Sequence, residues 1–241
     1  MKVFKGPAQG QSSQIEISET QRDRVLVGLS WDMKELEKVE IPVAEWVPFK
    51  KYLQAAADWA DDSVHAFRTM NYMPKTVNQH DDPDHRDKEF EGFDLDLYCY
   101  IFDEHGEMVE KIGPDYKDVV SEDGKVYHSG DDFSGIGGYD DEQIYIETKK
   151  LPENYKHFLF VVKSDCKFNL NDISDPVVRI ADGKTNEDFL KEDIQPAANI
   201  SASALIFAHM AEVNDSWTIT NISEFADADY DIAAYFKENL K

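Results

Sequence analysis

Short segments alternating apolar and polar residues recur along the chain and set its fold class. "QIEIS" from Gln14 is the first, and "RVLVGLSWD" from Arg24 to Asp32 is the second and more apolar. A run that alternates with period two is a half-buried strand, and a near-continuous apolar run of the same length is a buried one. "FDLDLYCYIFD" (Phe93 to Asp103), "KVYHS", "QIYIETK", "HFLFVVKSD" (His157 to Asp165), "PVVRIAD", "EDFLKEDI", "SASALIFAHMAEV" and "SWTITNIS" continue the series, with turn-forming residues between them. "HFLFVVKSD" is apolar enough to lie centrally in its sheet. Many short strands with regular turn signals predict an all-β sandwich. "DADYDIAAYFKENLK" closes the chain as an amphipathic helix, with Asp227 and Asp229 near its start and Lys237 near its end, as the helix dipole favours.

One region breaks the series. From Met33 to Gly92 strand signals nearly vanish. Within it "PVAEWVPFKKYLQAAADWADDSVHAF" places Phe49, Leu53, Ala56, Ala60, Val64 and Phe67 at helical spacing, and Pro48 suits a first turn. A polar stretch rich in turn residues follows. The expectation is a single domain over 1–241 with a helical and loop insertion at 33–92, after the second predicted strand.

The loop between "KVYHS" and "QIYIETK" carries the chemistry. "GDDFSGIGGYDDE" holds Asp131, Asp132, Asp140, Asp141 and Glu142, several glycines and no Lys or Arg. Like charges at that density raise one another's pKa unless something positive sits among them. Either the loop is a solvated acidic face, or it holds a cation. Carboxylates, the Ser134 hydroxyl and carbonyls turned inward by glycines are the oxygen donors calcium takes. The loop has no His or Cys, which disfavours zinc and copper. An EF-hand fails: Asp131 and Glu142 could stand first and last, but Phe133, Gly135 and Ile136 occupy the third, fifth and sixth positions, and the flanks are strands. "DLD" puts Asp94 and Asp96 on one strand face, and Asp32 ends the strand at "SWD".

The charge balance excludes other classes. The chain of 241 residues carries a formal charge of −24 and no Lys/Arg-rich stripe. Phosphate recognition needs a positive face, so nucleic acid and anionic membrane surfaces are poor partners. No stretch approaches the roughly 20 apolar residues of a membrane span, and the first 32 residues hold no signal-type apolar run. A cytoplasmic protein with buried, reduced Cys99 and Cys166 is expected.

At these motifs the chain resembles the TerD family of tellurium-resistance and stress proteins. "VLVGLSWD", "FDLD" and "VYHSGDDFSGIGGYDDE" follow in the family's order, and the third aligns without a gap from His128 to Glu142. Asp132 stands for Asn, Ser134 for Thr and Tyr139 for Gly. The resemblance implies a TerD-like β-sandwich binding calcium through Asp94, Asp96, Asp131, Asp132, Asp140, Asp141 and Glu142, with Asp32 and Ser134 as weaker members. It implies a stress-response role without established catalysis, alongside other Ter-type proteins, some of them membrane-bound. The insertion departs from the family, as does Ser164-Asp165-Cys166 where its "H-D-A" stands.

Three functions compete: a calcium-binding adaptor or scaffold, a calcium-dependent carbohydrate- or small-ligand-binding module, and a metal-assisted hydrolase. No acid, base and nucleophile set supports the last. "HDDPDHRD" (His80 to Asp87) reads as solvated loop, His128 as structural, and Trp31 and Trp217 as core. Trp46 and Trp59 sit on the inserted helix.

Overall fold

The computed structural model describes residues 4–5, 14–17, 23–32, 94–132, 140–149, 151–164, 168–198, 200–214 and 216–240. These fall within the unit formed by Met1–Met33 and Phe93–Lys241. The expected helical insertion, with its two tryptophans and the "HDDPDHRD" stretch, lies outside the described residues, as do Ser134 and Cys166.

Two antiparallel sheets form the unit. One runs β1 (Phe4–Lys5), β12 (Ser216–Ala226), β11 (Ala204–Val213), β8 (His157–Ser164), β4 (Leu95–Phe102) and β5 (Met108–Ile112), with β2 (Gln14–Ile17) also paired to β12. The other runs β10 (Asp188–Asp193), β9 (Ser174–Asp182), β3 (Arg24–Asp32), β7 (Glu142–Glu147) and β6 (Val126–His128). The apolar "HFLFVV" run lies inside its sheet, as its pattern predicts. The predicted β6–β7 pair is present, with His128 opposite Ile144. β1 and β5 have no counterpart among the predicted strands; "MVEKI" in β5 carries only a weak alternation.

The core is built by parity. Val25, Val27, Leu29 and Trp31 of β3 face Leu95, Leu97, Cys99 and Ile101 of β4, joined by Phe158, Phe160 and Val162 of β8 and by Ile144 and Ile146 of β7. Every second residue points the same way in a strand, so these sets share the interior. Burial pushes the Cys99 thiol well above its usual range, which keeps it protonated. Trp31 and Trp217 are both buried, as their reading as core residues requires.

The outer face of the larger sheet is covered by helix α1 (Ile232–Asn239). Its Ile232, Tyr235 and Phe236 pack on Tyr100, Phe102, Leu159, Val161 and Ile206. Asp231 caps α1 by accepting from the Ala234 N–H at 3.0 Å, and Lys237 stands in its last turn. Among the described residues no helix is long and apolar enough to cross a membrane.

Candidate metal centre

The "DLD" pleat and the acidic loop meet at one end of the sandwich. Asp94 and Asp96, on the same side of the chain entering β4, come together with Asp131 from the loop after β6. One carboxylate oxygen from each lies within 4.8 Å of the others. The residue Asp131 has an exposed surface, yet its carboxyl group is packed into this cluster. That burial, followed by the charges of Glu142 and Asp96, pushes it up to about 7.

Glu142 lies directly behind. It opens β7 in phase with Ile144 and Ile146, so its side chain enters the core face and is 0% exposed. Its Oε2 accepts the Leu97 N–H at 2.7 Å and its Oε1 the Asp132 N–H at 3.3 Å. β5 ends at Ile112 opposite Cys99, and Leu97, beyond that end, gives its N–H to Glu142. The side chain therefore joins the two sheets through the backbone of β4. Burial pushes the Glu142 carboxyl well above its ordinary range.

His128 is also buried. Its Nδ1 accepts the Gly130 N–H at 3.0 Å, so the neutral ring carries its proton on Nε2, which lies 3.3 Å from Glu142 Oε2 without the alignment of a hydrogen bond. Burial pushes His128 down to about 4. Gly130 takes φ +106° here, in the region where a side chain is strained.

The remaining acidic residues form a second group. Asp32, Asp140 and Asp141 line a cleft of about 400 Å³ with Trp31, Arg179 and Lys191. Asp140 is held by Arg179 from β9 in a two-pronged ion pair, at 2.8 Å from Nε and 2.7 Å from the terminal nitrogen, and also accepts from Gln143 at 3.2 Å. Arg179 further donates to Asp188 and Asn186. Asp141 accepts the Trp31 N–H at 3.0 Å and gives its own N–H to the Leu29 carbonyl. Burial first, then the charges of Asp132, Asp140 and Asp32, push Asp141 up to about 6 against the effect of the Trp31 N–H. Asp32 is exposed at the end of β3.

The expected ligand set is thus divided. Asp94, Asp96 and Asp131 share one point, with Asp132 and Glu142 adjoining through a hydrogen bond. Asp32, Asp140 and Asp141 share the cleft, where Asp140 already has a cation in Arg179. Sequence reading did not bring out Arg179, Gln143 or the Leu97 backbone. A lone Arg amid the apolar "PVVRIAD" strand was the available signal for the first.

The chain is similar to known proteins. The family model described as the TerD domain matches residues 76–233. The chain is 27% identical over 130 residues to the tellurium resistance protein TerZ of Serratia marcescens, covering 54% of this chain and 65% of that protein. It is 28% identical over 138 residues to general stress protein 16U of Bacillus subtilis (strain 168), covering 54% and 69%. It is 30% identical over 126 residues to stress response protein SCP2 of the same organism, covering 50% and 63%. A solved homologue of the telluride resistance protein (TerD) from Streptomyces coelicolor A3(2) superposes with a TM-score of 0.54 at 17% identity, over 89% of this chain and 95% of that one. The matched part spans less than two thirds of the TerZ and SCP2 relatives' own lengths.

Proposed function

The chain belongs to the TerD family of tellurium-resistance and stress-response proteins, and we propose that it is a calcium-binding member that works by association rather than by catalysis. The observation that carries this reading is the convergence of Asp94, Asp96 and Asp131 within 4.8 Å. Their oxygens are hard donors of the kind calcium and magnesium take, and calcium completes a set of six to eight with carbonyls and water. The crowding itself supports a cation: without one, Asp131 is pushed up to about 7 by burial and by Glu142 and Asp96. A divalent ion, when bound, supplies the positive charge that lets all three carboxylates ionise together.

The chain's own residues do the rest. The pleat of β4 aims Asp94 and Asp96. Glu142 fixes the β4 backbone at Leu97 and the loop backbone at Asp132, and so sets the loop against the strand. His128 is engaged with Gly130 inside the protein, which suits a structural part and not an acid–base one. Calcium loading would draw Asp131 against Asp94 and Asp96 and present this end of the sandwich to a protein partner in the stress response. Partners of this type include other Ter-type proteins, membrane-bound ones among them, with this chain acting from the cytoplasm. Trp31 and Trp217 are buried, so neither offers a ring to a sugar, and among the described residues the ligand-binding alternative rests on the cleft beside Arg179.

Calorimetric titration of the chelated protein with calcium tests this reading, followed by pull-downs with and without the ion. The expected result is saturable binding and calcium-dependent association. Absence of binding heat together with an unchanged melting temperature would overturn it.

A further inference from the structure

Two histidines meet under α1, away from the acidic end. His157 Nδ1 and His209 Nε2 are 3.1 Å apart, with ring centroids at 5.2 Å and 28° between the planes. The rings therefore meet edge to edge through an N–H···N hydrogen bond. Strand register explains the encounter. His157 on β8 stands opposite Ala211 on β11, and His209 lies two residues along, a diagonal pair on one sheet face. Both rings contact Phe236 of α1, at 5.2 Å from His157 and 5.6 Å from His209. Phe236 is wholly buried and stacks on Phe102 at 4.0 Å.

We propose that the His157–His209 pair is a proton-sensitive latch that holds α1 on the sheet at neutral pH and releases it on acidification. An N–H···N bond needs one nitrogen to accept. Once both rings are protonated no acceptor remains, and two positive charges face each other beneath the apolar face of α1. The surroundings relieve this only in part. Asp103, at the end of β4, favours the charged form of His157, while Lys156, just before β8, opposes it. Glu212 of β11 is engaged with Lys156 at 2.6 Å. On α1, Lys237 is paired with Glu107, and Tyr235 donates to Glu224 of β12. Burial lowers both histidines, His209 to about 4. Release of α1 would bare Tyr100, Phe102, Leu159, Val161 and Ile206.

The sign follows from linkage. A histidine whose pKa is depressed in the docked state favours docking above its free value and loses that contribution as pH falls toward the docked value. With a free value near 6.5 and a docked value of about 4 for His209, α1 docking weakens by about 20-fold between pH 7 and pH 5.

Amide exchange of the full chain between pH 7 and pH 5, corrected for the intrinsic exchange rate, tests this. The expected result is a loss of protection of about 20-fold in α1, with interior amides of β8 and β11 unchanged. His209→Gln keeps a hydrogen-bonding group that does not titrate and should flatten the α1 profile. His209→Asn does so with a shorter side chain, should the first variant fold poorly. Protection of α1 that stays constant to pH 5 would overturn the latch. So would protection that falls in parallel with β8 and β11, or a pH dependence that is undiminished in either variant.

Discussion

The carboxylate of Asp140 fills the space above Gly28 on the outer face of the smaller sheet. A Cβ at position 28 would fall well inside van der Waals contact with that carboxylate. Gly28 stands opposite Arg179 on β9 and Gln143 on β7, the two residues that donate to Asp140. The glycine in "VGLSWD" is therefore the floor of an ion pair, a close approach that only a residue without a side chain permits.

Gly28→Ala should displace the Asp140 carboxylate from Arg179 and cost about 1–3 kcal/mol, as overpacking does. Asp140→Ala should cost about 1–3 kcal/mol, because it removes the two-pronged acceptor of a part-buried guanidinium that keeps only Asp188 and Asn186. The double substitution should cost less than the sum, since both changes break the same pair. Urea unfolding of the four proteins measures the cycle. Full additivity would mean that the two residues are not coupled.

The two acidic groups should separate by calcium response. Asp131→Asn should weaken calcium binding by about tenfold or more, because it removes one charge from the ligand set, and it should not lower metal-free stability. Asp140→Asn should do the reverse, lowering stability through Arg179 while calcium affinity changes little. Parallel calorimetric and thermal titrations decide this. A Asp140→Asn protein that loses calcium affinity while keeping its stability would move the ion site to the cleft.

Metal-free protein should carry a pH signature of the crowded carboxylates. Asp131 is raised to about 7, chiefly by burial and then by Glu142 and Asp96. A carboxyl raised in the folded state contributes stability below its unfolded value, near 4, and loses it as pH climbs toward 7. The histidines work in the opposite sense, since His128 and His209 are both depressed to about 4. The difference between two proteins isolates Asp131. In chelator, the melting temperature of Asp131→Asn minus that of the unsubstituted chain should grow from pH 5 to pH 8. Saturating calcium should abolish or reverse that growth. A difference that is flat in chelator would show that Asp131 ionises freely without a cation. Salt should reduce the effect, because part of it is charge repulsion at an exposed residue.

The sandwich was legible because its strands are short, alternating and separated by turns, and because parity alone assigns Val25, Val27, Leu29 and Trp31 to the core. β5 was not, since "MVEKI" lies at an edge where packing barely constrains the pattern. The acidic site was legible in its residue types but not in its partition. The motif presents Asp131, Asp132, Asp140, Asp141 and Glu142 as one ligand run. Which of them meet depends on strand register, and register brings Arg179 to Asp140 across a separation no local pattern encodes. Glu142 is the instructive case: Ile144 and Ile146 already fix its parity inward, yet its charge favours reading it as a solvent-side ligand.

That inward Glu142 supports the last prediction. Both of its oxygens face backbone N–H groups, of Leu97 and of Asp132, and nothing of the residue reaches solvent. Glu142→Ala would leave two buried donors without acceptors, at about 1–3 kcal/mol each, and would open a cavity as well. Glu142→Gln keeps one oxygen for Leu97 but turns an amide N–H₂ toward the Asp132 N–H, so about 1–3 kcal/mol should be lost. These losses should appear in metal-free and calcium-loaded protein alike, because they come from joining β4 to the loop and not from holding an ion. Urea unfolding in chelator and in calcium measures both. A Glu142→Gln protein as stable as the parent in chelator, but destabilised relative to it in calcium, would make Glu142 a direct ligand and refute its role as the buried tie between the sheets.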